Sequence, residues 1–172
     1  MISNRDKYPW YIVRHHDEEF HLYAATNPDA PGRSEFLMAT IRSTRLATAI
    51  ETVLNQLWTA IKTCKSLASE HKSEEPRMVV LQRYELMEQK LNIALTNANR
   101  IKPFLSRLNT PLVTQTFNLL VERAKICQEL IKQYAMLIDD AHQTFVGMRR
   151  IFTETRDIGN EVRRLYGQET PV

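Results

Sequence analysis

Glycine is scarce in this chain, with 4 in 172 residues against a usual share of roughly 7%. Tight hairpins draw on residues free to adopt positive φ, so this scarcity argues against an architecture made mainly of β turns. Cysteine is nearly absent too. Cys64 and Cys127 stand far apart, with no CxxC or Cys/His spacing, which excludes a disulfide scaffold and fits a reducing compartment, so the expected location is the cytoplasm. No apolar run approaches the roughly 20 residues of a membrane helix, and the opening "MISNRDKYPWY" lacks the basic-then-apolar layout of a secretion signal. Neither a membrane nor an export route is expected.

Catalytic signatures are missing as well. There is no phosphate-cradling glycine loop, no GxSxG elbow and no zinc-protease histidine pair, so the chain reads as a non-enzyme with no cofactor and no metal. What is present is ordinary for a globular protein: 43% hydrophobic and 25% charged residues, with a net charge of +3. The pI of about 8.9 favours an anionic partner without making nucleic acid obligatory.

The periodicity predicts a mainly α fold, a long-helix bundle with a short N-terminal β ribbon or hairpin. Residues 1–33 are the β-prone segment and its loop. Within them Tyr8 to Arg14 and Phe20 to Ala24 read as two strands, and "TNPDAPGR" at 26–33 breaks regular structure. Residues 34–172 form the bundle, and the chain length suits one domain overall. Ser34 is the expected N-cap of a first helix reaching about residue 72, with an apolar stripe of Leu46, Ile50, Val53, Leu57, Ala60 or Ile61, Cys64 and Leu67. A second helix, about 76–102, carries Val80, Tyr84, Met87, Leu91, Ala94, Ala98 and Ile101 and is expected to stop at Pro103. Thr110 as N-cap and Pro111 start a third, whose seam runs from Val113 through Phe117, Leu120, Ala124, Cys127, Ile131 and Tyr134 towards residue 167. A continuous helix from 111 to 166 would be about 84 Å long, so either the chain reverses near 139–147 or the last segment projects and finds a partner; a helix that is continuous, or kinked near Gly147, is the favoured reading.

The tail "GMRRIFTETRDIGNEVRRLYG" sets an apolar arc of Met148, Ile151, Phe152, Ile158, Val162, Leu165 and Tyr166 beside Arg149, Arg156 and Arg163. Arg150 and Arg164 adjoin them. The wide arc suits a helix buried among others, and a homodimer sharing that core would satisfy it. The arginines are either a strip following phosphates or a solvated flank partly neutralised by Glu154, Asp157 and Glu161. A second basic cluster, Arg42 and Arg45 with Arg33, lies among serine and threonine residues that often accompany arginine on phosphates. The leading functional expectation is a nucleic-acid-binding accessory or regulatory protein, contacting DNA or RNA through these arginines. The competing one is an interaction adaptor or assembly subunit that binds another helical protein.

Two further patterns carry chemistry. "HHDEEFH" would place His15, Asp17, Glu19 and His21 on one face of an extended strand, a metal-capable set, although a charged turn explains it more simply. Glu18-x-x-His21 and Asp139-x-x-His142 echo the paired ligands of di-iron bundles, which need both pairs on core-facing helices. Arg5, Lys7 and Arg14 mix with Tyr8, Trp10 and Tyr11. That mixture can stack on bases, but such aromatics more often cover a helical core.

Overall fold

A computed structural model describes residues 4–16, 18–31, 34–70, 77–138, 153–154 and 156–157. A short 3-10 turn precedes three strands, β1 (Trp10–His16), β2 (Glu19–Ala25) and β3 (Glu35–Ile41). Three helices follow, α1 (Thr44–Glu70), α2 (Arg77–Leu105) and α3 (Pro111–Ile138). The strands form one antiparallel sheet in the order β1-β2-β3, and the three long helices pack together after it. The mainly α fold with an N-terminal ribbon is therefore what the sequence leads one to expect, with one strand more.

That extra strand is a correction. Residues 35–41 are β3, where helix was expected from Ser34, and α1 starts only at Thr44. Its N-cap is Ser43, whose Oγ accepts the Leu46 amide at 3.2 Å while its carbonyl accepts the Ala47 amide at 2.9 Å. The strand is hard to see in the sequence because its pairing shifts between Leu22↔Ala39 and Tyr23↔Leu37. Met38 is the extra residue, so Met38 and Ala39 are both buried and the period-2 alternation is lost. The "TNPDAPGR" loop spans the gap between β2 and β3, closed by Thr26 N–H donating to the Ser34 carbonyl at 2.9 Å.

Every residue of the second expected stripe, Val80 to Ile101, and of the third from Val113 to Tyr134 is buried. In α1 the stripe holds at Ile50, Val53, Leu57, Ala60, Ile61 and Cys64, but Ala47, Leu54 and Trp58 are buried as well. The reason is position: α1 touches all three strands and both other helices, so it needs apolar residues on two faces. A single hydrophobic cluster includes Trp10, Phe20 and Leu22 of the sheet together with all three helices. Trp10 meets Trp58 edge to face at 6.4 Å between centroids, so it covers the core and is not available for base stacking. Tyr11, on the other face, is also buried and lies stacked on Tyr23.

Two helix ends differ from expectation. Helix α2 continues through Pro103 to Leu105. A proline near the end forfeits one intrahelical hydrogen bond, and the burial of Ile101 and Leu105 on either side holds the last turn in place. Helix α3 begins at Pro111 as expected, but Thr110 Oγ1 has no hydrogen-bond partner among the described residues, so it does not act as a side-chain cap. A straight α3 running to 166 is also overturned. Glu154 lines a shallow groove with Glu122, Lys125, Ile126, Glu129, Leu130 and Gln133, whereas a continuous helix would put it about 32 Å beyond Gln133. Glu154, which is helical, thus lies beside α3 and not past its end.

The β1–β2 turn holds Glu18 at φ 66, a left-handed conformation that costs most side-chain-bearing residues about 1–2 kcal/mol. Asparagine tolerates that region better. Glu18→Asn is expected to raise stability by about 0.5–1 kcal/mol, read as a higher urea midpoint with an unchanged slope.

Candidate nucleic-acid interface

The chain leaves β3 at Ile41 and enters α1 at Thr44; Arg42 lies in this short connection and Arg45 in the first turn of α1, both exposed. Helix α2 ends beside the start of α1. Arg45, Thr48, Thr52 and Gln56 of α1 face Asn97 and Arg100 of α2 across a shallow groove of about 450 Å³. Asn97 Nδ2 donates to Gln56 Oε1 at 3.0 Å and ties the two helices together along its floor. The last turn of α2 adds Lys102 and the turn into α3 adds Arg107, also exposed, with the Arg107 guanidinium 5.7 Å from the Phe104 ring centroid.

This end of the bundle is cationic because of what its two stretches omit. There is no Asp or Glu between Glu35 and Glu51, and none between Glu88 and Glu122. Among the described residues Arg42, Arg45, Arg100 and Lys102 form no ion pair. The tip of the β1–β2 hairpin closes the same end, since Phe20 pairs with Ile41 just before Arg42. Its Glu19 carboxyl is held below the usual carboxylate range, chiefly by the hydrogen bond from His21, with His15 and Arg42 adding smaller attractions.

Of the arginines that the sequence singles out, Arg42 and Arg45 thus lie at one end of the bundle, where Arg45 shares the groove with Arg100 and the same end carries Lys102 and Arg107. Local patterns do not reveal those three. The signal that finds them is the carboxylate-free run from 89 to 121, and it becomes meaningful only once α2 is laid antiparallel to α1. In the tail, Arg156 is exposed, with its Nε 3.8 Å from Asp157 Oδ1, so part of its charge is met locally. Arg149, Arg150, Arg163 and Arg164 lie outside the described residues, as does Arg33. So does the whole expected interface of Met148, Ile151, Phe152, Ile158, Val162, Leu165 and Tyr166.

The other chemical candidates are placed as follows. Cys64 and Cys127 are both buried free thiols. A hydrogen bond between them, and then burial, pushes the Cys127 thiol far above its ordinary range, which opposes any nucleophilic use. Glu18 sits in the hairpin turn and His21 in β2, so this pair is not on a helix, while Asp139 and His142 lie outside the described residues. His15, Glu19 and His21 do come together, but from two strands and not from one.

The fold and this surface define a class: a helical bundle with an N-terminal antiparallel sheet and one cationic end. Comparison with protein-family models, with curated proteins and with solved structures finds no match for this chain. Among the described residues no helix is long and apolar enough to cross a membrane.

Proposed function

We propose that this chain is a non-enzymatic nucleic-acid-binding accessory protein, regulatory in role, that contacts phosphates through the bundle end carrying Arg42, Arg45 and Arg100. The observation that supports the reading is the cationic surface built from two separate stretches that carry no carboxylate of their own. Exposed arginines without competing carboxylates keep their donors for phosphate oxygens, and the groove between Arg45 and Arg100 adds threonine and amide groups of the kind that accompany them. A pair of buried free thiols suits work in the cytoplasm. The tail arginines form a second, weaker contact in this scheme.

Binding to a mixed DNA and RNA pool, measured over a range of salt concentrations, tests the reading. A protein neutralising three or four phosphates loses affinity with a slope of about 3 on a log–log plot against salt for duplex and somewhat less for single strands. No retention of either nucleic acid at low salt rejects it.

A specific observation favours a second reading, an adaptor or assembly subunit. Val79, Leu86 and Ile93 of α2 are exposed at 39%, 53% and 59%, and their seven-residue spacing makes one apolar line along the helix. A helical partner, or a second copy of the chain forming a homodimer, would bury it. The solution mass across a concentration series, with Leu86→Glu beside the parent, separates these outcomes from nucleic-acid binding because an apolar contact persists at high salt.

A further inference from the structure

The tip of the β1–β2 hairpin gathers three potential metal ligands by means of a bulge. Arg14 pairs with Phe20 but His16 pairs with Glu19, so His15 and His16 together oppose one residue of β2. In a regular strand successive side chains point to opposite faces, yet here the His15 and His16 ring centroids are 4.4 Å apart. The same bulge turns His15 onto His21, where the two rings stack at 4.5 Å with 20° between their planes. His21 Nε2–H donates to Glu19 Oε1 at 2.9 Å. One ligand atom from each of His15, Glu19 and His21 lies within 4.8 Å of the other two.

The geometry points to a transition-metal site of two imidazoles and one carboxylate, with Zn²⁺ as the ion that best suits the set. Zinc takes nitrogen and carboxylate oxygen at roughly 2.0–2.2 Å, which places its ligand atoms about 3.3 Å apart. Glu19 Oε1 and His21 Nε2, at 2.9 Å, lie just inside that spacing, and zinc would take the place of the imidazole proton between them. Only His15, which is exposed, has to swing in, and its side chain is not held by core packing. Three protein ligands leave at least one position for water or an anion, the arrangement of an open zinc site and not of a closed structural one. This site stands apart from the nucleic-acid reading and does not depend on it.

Zn²⁺ alone, titrated calorimetrically into the full chain, is expected to bind with a single ion per chain. His15→Ala and His21→Ala should each weaken binding by about tenfold or more, since even outer partners of ligands cost that much when removed. Glu19→Gln, which keeps an acceptor for His21 but not the charge, should do the same. Circular dichroism of each variant reports whether the sheet survives. Imidazole NMR of the unaltered chain gives an independent readout, with the His15 and His21 ring signals moving on Zn²⁺ addition and those of His71 and His142 staying in place. Absence of binding at hundreds of micromolar Zn²⁺ overturns the site. So does undiminished binding in the His15→Ala/His21→Ala chain, or a response confined to His71 and His142.

Discussion

Replacing Asn55 with alanine is expected to cost about 3 kcal/mol of stability and to lower the melting temperature by roughly 10 °C. Asn55 is a buried polar residue on α1, and its side chain serves the backbone of the sheet. Its Oδ1 accepts the Trp10 amide at 3.2 Å and its Nδ2 donates to the Trp10 carbonyl at 2.8 Å. A carboxamide offers one donor and one acceptor side by side, as the edge of a neighbouring strand would. It therefore covers the open side of β1 at Trp10, where an exposed edge would invite pairing with another chain. Alanine leaves both backbone groups buried and unsatisfied, at about 1–3 kcal/mol each, while Trp10 loses its anchor against Trp58. Asn55→Asp should fall between, since a carboxylate accepts from the amide but has no proton for the carbonyl. Asn97→Ala, which breaks only the half-buried bond to Gln56, is the control and should cost under about 1 kcal/mol. Urea unfolding of the three variants checks the order. A loss below about 1 kcal/mol for Asn55→Ala would show that the clamp does not hold the sheet to the bundle.

The same residue shows where local patterns stop being informative. The apolar stripes of α2 and α3 are legible because each faces the core with one side, and a 3.6-residue period reports one-sided burial directly. Asn55 falls between Leu54 and Leu57 in α1 and reads as an ordinary polar position, because nothing local reveals that a strand backbone will arrive 45 residues away in sequence. Strand β3 is hidden for a related reason. "EFLMATI" mixes helix formers with strand formers, and the bulge at Met38 removes the alternation that would have decided between them. Its pairing with β2, a tertiary contact, settles the conformation.

The sites divide along the same line. His15, Glu19 and His21 can be grouped from sequence because they are close along the chain, although the hairpin and not a single strand assembles them and His16 joins through the bulge. The cationic end cannot be grouped in that way. Its contributors stand more than fifty residues apart, and each stretch alone carries only a few positive charges. The heptad spacing of Arg149, Arg156 and Arg163 stands out because it is a local pattern, yet any charged flank of a heptad helix shows it.

These two basic regions make opposed forecasts for mutation. Arg45→Ala/Arg100→Ala is expected to reduce nucleic-acid affinity about a hundredfold or more at low salt, since each charge-assisted hydrogen bond contributes roughly 1.5–3 kcal/mol. It should also flatten the salt dependence by close to 2, one lost phosphate contact for each arginine. Both side chains are exposed, so stability should change by less than about 0.5 kcal/mol, and a loss of binding can be read as a loss of contacts. Arg156→Ala should weaken binding only two- to threefold, because Asp157 already lies 3.8 Å from its guanidinium and screening reduces what an exposed, partly paired charge can add. The measurement is fluorescence anisotropy of a labelled duplex and a labelled single strand at several salt concentrations. If the Arg45/Arg100 variant binds as the parent does while an Arg149/Arg150/Arg163/Arg164 variant loses affinity and slope, the interface belongs to the tail and the bundle end is only a solvated surface. Arg45 and Arg100 are favoured because neither forms an ion pair with a carboxylate among the described residues, and a phosphate reaching that groove meets donors from two helices that the folded core already holds in place.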